Sequence, residues 1–120
     1  MWIYNNSNGN LSFNGELVGT GYSGNTEGLN NPVLSSLHNV GPIPSGMWII
    51  GDFFDDFGGK GAIVTRLTPE PETVTFGRSG FMIHGDNSHL NHSASDGCII
   101  LAHPIRQQIK DSGDTSLMVV

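Results

Sequence analysis

Residues 1–24 read MWIYNNSNGNLSFNGELVGTGYSG, and this stretch decides the fold class. Short apolar runs at Trp2–Tyr4 and Leu11–Phe13 are separated by the dipeptide Asn8-Gly9, and Asn14-Gly15 follows the second run. An Asn-Gly pair next to alternating apolar residues is a strong signal for a β-hairpin, because both residues tolerate the positive φ that tight turns need. The N-terminus therefore predicts a meander of short antiparallel strands.

The rest of the chain continues this pattern. Residues 23–46 are rich in Gly, Asn, Ser and Pro and predict an ordered loop with one helical turn near Pro32–Leu37. HPIRQQIKDSG (103–113) predicts the one clear helix, with Pro104 near its start and Gly113 as its C-cap. Further strands are predicted at GMWIIGDF (46–53), AIVTRL (62–67), SGFMIH (79–84) and TSLMVV (115–120), with CIILAH (98–103) as either a strand or the start of the helix.

Composition limits the class of protein. The 120 residues fit one domain, 1–120, and 17 glycines with 13% charged residues favour a loop-rich, mainly β fold. A net charge of −6 argues against binding to nucleic acid or to an acidic membrane. One cysteine excludes an intramolecular disulfide. No start typical of a signal peptide is evident, so we expect synthesis in the cytoplasm and a separate carrier if the protein acts elsewhere.

The single cysteine lies in SASDGCII (93–100), between a glycine and a run of apolar residues. A reactive thiol needs a base within hydrogen-bond reach, and His84 ends an apolar strand fourteen positions earlier. Two neighbouring strands joined by a loop would bring these side chains together, and the Gly85 carbonyl would fix the imidazole tautomer. The backbone amides of Gly97 and Cys98 would then form an oxyanion hole.

Two other interpretations of these residues stay open. A lone cysteine in an apolar run is more often a small buried hydrophobic residue than a nucleophile. A metal site is the second, since His and Cys ligate zinc and five such residues lie within twenty positions, although their spacing matches no zinc motif. These five are His84, His89, His92, Cys98 and His103.

The motifs His84-Gly85 and Ser95-Asp96-Gly97-Cys98 resemble the L,D-transpeptidase catalytic signature. With GYSG, NNP, GPIPSGMW, RLTPEP and GRSGFMIHGDN in order, the sequence is similar to the type VI secretion L,D-transpeptidase effector family, from about Trp2 to Ile109. The resemblance implies a small L,D-transpeptidase-like β-sandwich or barrel of short antiparallel strands, with one or two short helices. It implies no cofactor and no metal.

The resemblance also implies roles and partners. Cys98 would be the nucleophile, His84 the base, Gly85 the orienting carbonyl, Gly97 part of the oxyanion hole, and Ser95 a residue that shapes the nucleophile loop. The substrate would be the tetrapeptide stem of peptidoglycan, cleaved between meso-diaminopimelate and D-alanine or exchanged with another D-amino acid. The protein would be a toxin carried by the type VI secretion machinery to the periplasm of a target cell, with a cognate immunity protein.

Five residues outside the nucleophile and base are predicted to contact substrate or to shape the cleft. An arginine matches a carboxylate with two parallel hydrogen bonds, so the side chain before the catalytic strand is a candidate clamp, and pairing with a surface acid such as Glu70 or Glu72 is an equal alternative. The five are Arg78, Asp86, Asn87, Asp96 and Tyr22. Two rival functions remain: a non-catalytic wall-binding module and a cysteine endopeptidase of another peptide bond.

Overall fold

The structure is a computed structural model that describes residues 1–120, and it confirms a mainly β fold with 36% strand and 13% helix. Nine strands and one α-helix form it. The strands are β1 (Trp2–Tyr4), β2 (Asn10–Phe13), β3 (Glu16–Thr20), β4 (Tyr22–Ser23), β5 (Gly46–Asp56), β6 (Gly61–Pro69), β7 (Met82–His84), β8 (Ile99–Ile100) and β9 (Ser116–Val119), and the helix α1 spans His103–Ser112 between β8 and β9.

The strands form a single mixed sheet in the order β3-β2-β1-β9-β5-β6-β7-β8-β4. The predicted N-terminal meander is present, because β1 pairs with β2 and β2 with β3 in antiparallel fashion. Two neighbours run parallel instead, β1 with β9 and β7 with β8. The prediction of short antiparallel strands is therefore wrong for these two pairs, and the sandwich or barrel arrangement of the sheet stays a prediction.

The core consists of apolar residues that alternate along the strands and of residues from the loops and the helix. Trp2 and Tyr4 point from β1 into this core, and Trp48 packs edge-on against Phe81 with ring centroids 5.0 Å apart. The buried cluster comprises Trp2, Tyr4, Leu11, Ile43, Trp48, Ile50, Leu67, Phe81, Ile83, Ile99, Leu101, Ile109, Leu117 and Val119. It fixes the central strands, and with them the positions from which the loops of the site begin.

Local signals for the helix and the long loop are borne out. Pro104 lies in the first turn of α1, and Gly113 ends the helix with φ of 67°, a conformation that glycine adopts without steric cost. The loop before β5 contains short 3₁₀ turns at Pro32–Leu34, as predicted, and at Thr26–Gly28. The helix α1 is too short and too polar to span a bilayer.

Candidate active site

The pairing of β7 with β8 brings His84 and Cys98 to one face of the sheet. Ile83 lies opposite Ile99 and His84 opposite Ile100, so Cys98 lies one step before the first pair, next to Met82. Side chains alternate between faces along a strand, and therefore His84 and Cys98 project to the same face as diagonal neighbours. Strand spacing and rise give about 8 Å between the two Cα atoms. The sequence predicts the two residues side by side on neighbouring strands joined by a loop, whereas the parallel register makes them diagonal neighbours.

His84 is held in one tautomer. Its ring is only 2% exposed, and Nδ1 lies 2.8 Å from the carbonyl oxygen of Gly85. A carbonyl only accepts, so Nδ1 carries the proton and Nε2 keeps its lone pair. Nε2 is buried and has no hydrogen-bond partner, which includes the sulfur of Cys98. Nε2 is thus a proton acceptor without a donor, and it lies on the strand next to β8, which begins directly after Cys98.

Cys98 is half-buried and opens into a cavity of about 360 Å³, which we call the Cys98 cleft. Its S–H donates weakly to the carbonyl oxygen of Gly80 over 3.8 Å. The thiol is therefore accessible, unlike a cysteine packed into a core. The cleft is lined by His38, Asn39, Lys60, Gly77, Arg78, Ser79, Gly80, Phe81, Met82, Ala94, Asp96, Gly97 and Cys98.

His84 opens into a neighbouring cavity of about 300 Å³, the His84 cleft. Gly85, Asp86, Asn87 and Ser93 also line it. Three residues line both clefts: Lys60, Ala94 and Asp96. A substrate bound across this boundary would have access to the sulfur and to the imidazole together.

Burial sets the protonation state of both groups. Desolvation raises the pKa of the Cys98 thiol above its ordinary value. The backbone N–H of Met82 and the charges of Lys60 and Arg78 lower this pKa, but their effect is smaller than that of desolvation. Desolvation also lowers the pKa of His84, and the charges of Lys60 and Arg106 lower it further, while Gly85 and Asp86 act in the opposite direction. At neutral pH a neutral thiol therefore accompanies a neutral imidazole.

Ser95 organises the loop that carries the thiol. It is completely buried, and its Oγ accepts the N–H of Gly24 at 2.9 Å and that of Gly97 at 3.1 Å while donating to the carbonyl of Cys98 at 2.6 Å. Ser23 Oγ adds a bond to the carbonyl of Gly97 at 3.0 Å. The Gly97 amide is thus already engaged, a contact that the predicted two-amide oxyanion hole did not include.

Two glycines of the predicted site are required by close packing. Gly97 has φ of 133°, and a Cβ there would lie 2.5 Å from Nη2 of Arg78. A Cβ on Gly85 would lie 2.5 Å from Nη1 of Arg106, whose guanidinium is buried against it. Sequence reasoning missed Arg106, because its position on α1 gives no sign of contact with the His84-Gly85 turn.

The Arg78 side chain is buried and binds backbone carbonyls of two loops. Nη1 donates to the carbonyls of Ser35 at 2.6 Å and Pro42 at 3.0 Å, and Nη2 to those of Gly41 and Asp96, both at 3.0 Å. Four of its five N–H bonds are thereby occupied, and no ion pair with a surface acid is formed. The substrate-clamp role stays a prediction; the contacts observed are those of a residue that joins two loops.

The other predicted contact residues surround the His84 cleft. Tyr22 donates its hydroxyl to Asp86 at 2.8 Å and accepts the N–H of Ala94 at 3.1 Å, so it ties both ends of the intervening loop. Burial, together with the Asp86 carboxylate, raises the pKa of Tyr22 to about 12. Asn87 bonds to Ser93 at 2.9 Å, and exposed Asp96 accepts from Asn25 at 3.2 Å. These contacts shape the cleft, and substrate binding by these residues stays a prediction.

The structure offers no side-chain arrangement for a metal. The five histidine and cysteine residues of the sequence cluster are spread over β7, the following loop and α1, and no group of three or more His, Cys, Asp or Glu side chains is placed to hold an ion. His92 packs edge-on against Tyr22, with ring centroids 4.9 Å apart. The metal interpretation gains no support from this geometry.

Comparison with protein families gives one match. Residues 18–120 match the family model described as the Tlde1 domain, which covers more than half of the chain. A comparison with curated proteins finds no match. The matched range includes β7, β8 and every residue of the two clefts.

Proposed function

We infer the function from one premise: the chain belongs to the Tlde1 domain family, the type VI secretion L,D-transpeptidase effector family. The family implies a type VI effector with L,D-transpeptidase-like activity that acts on peptidoglycan. We propose that residues 1–120 form a single catalytic domain, with Cys98 as nucleophile and His84 as general base.

The observation that carries this proposal is the state of His84. Its Nδ1 is fixed by the Gly85 carbonyl, and its Nε2 is buried without a partner on the face of the sheet that also carries Cys98. A buried imidazole nitrogen without a hydrogen bond costs about 1 to 3 kcal/mol, and such a cost is expected where the atom has a role in catalysis. The accessible thiol in the adjoining cleft supplies the proton that Nε2 accepts.

The reaction begins when the thiol gives its proton to Nε2 and the sulfur attacks the carbonyl carbon at the L-centre of meso-diaminopimelate. The C–N bond to D-alanine then breaks, and the imidazolium returns the proton to the departing amine. The product is a thioester on Cys98. Water hydrolyses it in an L,D-carboxypeptidase reaction, whereas a D-amino acid gives exchange and a stem amine gives a crosslink.

The remaining assignments concern the setting of the reaction. Ser95 and Gly97 position the nucleophile loop, and the main-chain N–H of Cys98 stabilises the oxyanion. The protein reaches the periplasm of a target cell through the type VI secretion machinery and is neutralised in its producer by an immunity protein. The proposed reaction requires no cofactor.

The test is incubation with purified tetrapeptide muropeptides followed by mass spectrometry. We expect loss of one D-alanine, or its replacement when another D-amino acid is supplied, and neither product with Cys98→Ala or His84→Gln. Cleavage at another bond would instead identify an endopeptidase. Unchanged muropeptides together with retained wall binding would identify a binding module, and either result would reject the proposal.

A further inference from the structure

Lys60 lies at the boundary between the two clefts, at the tip of the hairpin that joins β5 to β6. It lines both cavities. Its backbone is held in place, since the N–H of Lys60 donates to Asp56 Oδ2 at 3.1 Å and the N–H of Gly59 to the Asp56 carbonyl at 3.0 Å. The side chain itself is exposed, and its ammonium forms neither a hydrogen bond nor an ion pair within the chain. The backbone at Lys60 is thus held in place, and its side chain carries a cation that has no partner within the chain.

The other cationic side chains are not available in this way. The chain has five lysine and arginine residues. Arg78 and Arg106 are buried and donate to backbone carbonyls, and Arg66 lies over the ring of Phe54 at 4.9 Å. Lys110 is on α1 and lines neither of the two clefts. Lys60 is therefore the free cation at the site of a protein with a net charge of −6.

The charge of Lys60 acts on both reacting groups. It lowers the pKa of Cys98 and also that of His84, and it is the only charged side chain that contributes to both shifts. Because Lys60 lines both the cleft of Cys98 and that of His84, its ammonium is within Coulombic reach of the sulfur and of the imidazole. During the reaction proposed above, the leaving amine must lie between these two groups, because it departs from the carbon bonded to sulfur and takes its proton from Nε2.

A carboxylate on the leaving group would come close to this ammonium. In a C-terminal amino acid the carboxylate is attached to the same carbon as the departing amine, so it lies within a few bond lengths of the broken C–N bond. We propose that Lys60 forms a carboxylate-binding subsite that selects stem peptides with a free C-terminal carboxylate immediately after the scissile bond. This inference rests on the proposed function and names the feature of the substrate that the site recognises.

The experiment compares two substrates that differ only in this group, the tetrapeptide stem with a free C-terminal carboxylate and the same peptide as its C-terminal carboxamide. We expect the wild-type protein to prefer the acid. Lys60→Met should lower the ratio of kcat/KM for the acid to kcat/KM for the amide by roughly tenfold to a hundredfold, which is the loss of one charge-assisted hydrogen bond. Lys60→Arg should keep the preference, and Lys110→Met, which removes the other lysine, should behave as the wild type.

The ratio between the two substrates separates recognition from general electrostatics. If Lys60 acted only on the reactivity of Cys98 or His84, its removal would lower kcat/KM for the acid and for the amide by the same factor. An unchanged ratio in Lys60→Met would therefore overturn the proposal. A ratio near one in Lys60→Met, with the preference kept in Lys60→Arg, would support it.

A binding experiment tests this inference separately from the proposed function. The Cys98→Ala protein, with and without Lys60→Met, is titrated with the acid and the amide in a calorimeter. Tighter binding of the acid that disappears with Lys60→Met supports the subsite, even if the wild-type protein turns over neither peptide and the proposed reaction fails. Equal affinity of Cys98→Ala for the two peptides rejects the subsite, whatever the activity of the wild type.

Discussion

The proposed nucleophile and base, Cys98 and His84, are both neutral at rest, and this follows from where they lie. Burial is the first cause of the raised pKa of Cys98 and of the lowered pKa of His84. A thiolate at the half-buried position of Cys98, beside a buried imidazolium, would need more compensation than Lys60, Arg78 and the Met82 amide provide. Proton transfer from sulfur to Nε2 is therefore expected to accompany attack on the substrate and not to precede its binding.

The reactivity of the thiol should follow from this state. We predict that alkylation of Cys98 by iodoacetamide rises with pH, with a midpoint above the ordinary range of a cysteine, because burial raises its pKa. The rate is measured by mass spectrometry from pH 6 to pH 10, and the single cysteine makes the signal unambiguous. Lys60→Met should move the midpoint higher still. A rate that is already at its plateau below pH 7 would show a stable thiolate and contradict the prediction.

At this scale the sequence predicts Cys98 and His84 as the pair that reacts, but it does not predict the contacts that hold them in place. Cys98 and His84 stand out because each is followed or preceded by a glycine and ends or begins an apolar run. The contacts of Arg78 with Ser35 and Pro42 bridge about forty residues of chain, and no local pattern encodes them. The sequence also gave no sign that Lys60 lies at the site, because a lysine at a hairpin tip is usually a solvated side chain.

At the scale of elements, the alternation of apolar and polar residues predicts where the strands lie. Their order and direction in the sheet depend on tertiary packing, which this local pattern does not encode. The Asn-Gly pairs predict antiparallel neighbours because a tight turn reverses the chain. The loop of residues 85–98 is long enough to return to the start of β7, which allows β8 to run parallel to it. That direction decides the site, because it sets Cys98 beside Met82 and diagonal to His84.

Arg78 connects two loops that lie between these elements, and its substitution separates the two roles considered for it. We predict that Arg78→Lys lowers the free energy of unfolding by about 2 to 4 kcal/mol, because an ammonium cannot serve the four carbonyls that the guanidinium now binds. Urea unfolding measures this change. The kcat should fall as well, since the Asp96 carbonyl loses its anchor two residues before Cys98.

Arg66→Lys is the matched control for this prediction. Arg66 is exposed and lies over Phe54, so its substitution should cost less than about 1 kcal/mol. If Arg78→Lys instead leaves stability unchanged and raises only KM, the residue acts on substrate as a clamp. That outcome would reject the positioning role.

For the whole molecule, the sheet gathers parts of the chain that are far apart in sequence around one buried core. β9 lies between β1 and β5, so the last strand completes the middle of the sheet, and the N-terminal amine pairs with Asp114 at 2.8 Å. On the other side of the sheet, β4 at the edge pairs with β8 and supplies Tyr22 and Ser23 to the loops of the site. Folding and the assembly of the site are therefore one process.

Global stability should in consequence depend on the protonation of His84. Its pKa in the folded state lies below the ordinary value of 6.5, which the unfolded chain retains. The unfolded state therefore binds a proton that the folded state refuses once the pH falls below about 6.5. Stability from the neutral imidazole is fully present above that pH and is lost progressively as the pH falls towards the folded pKa. The nearby Asp86 carboxylate limits the loss, because it favours the protonated ring.

Urea unfolding between pH 7.5 and pH 5 measures this effect in the wild type and in His84→Gln. We expect the wild type to lose more stability than the variant as the pH falls, because glutamine takes up no proton in either state. His89→Gln is the control: the His89 side chain is exposed, so its curve should run parallel to that of the wild type. The carboxylates titrate in all three proteins and cancel in the difference. Parallel curves for the wild type and His84→Gln would contradict the lowered pKa of His84 in the folded state, and with it the neutral imidazole on which the proposed general base depends.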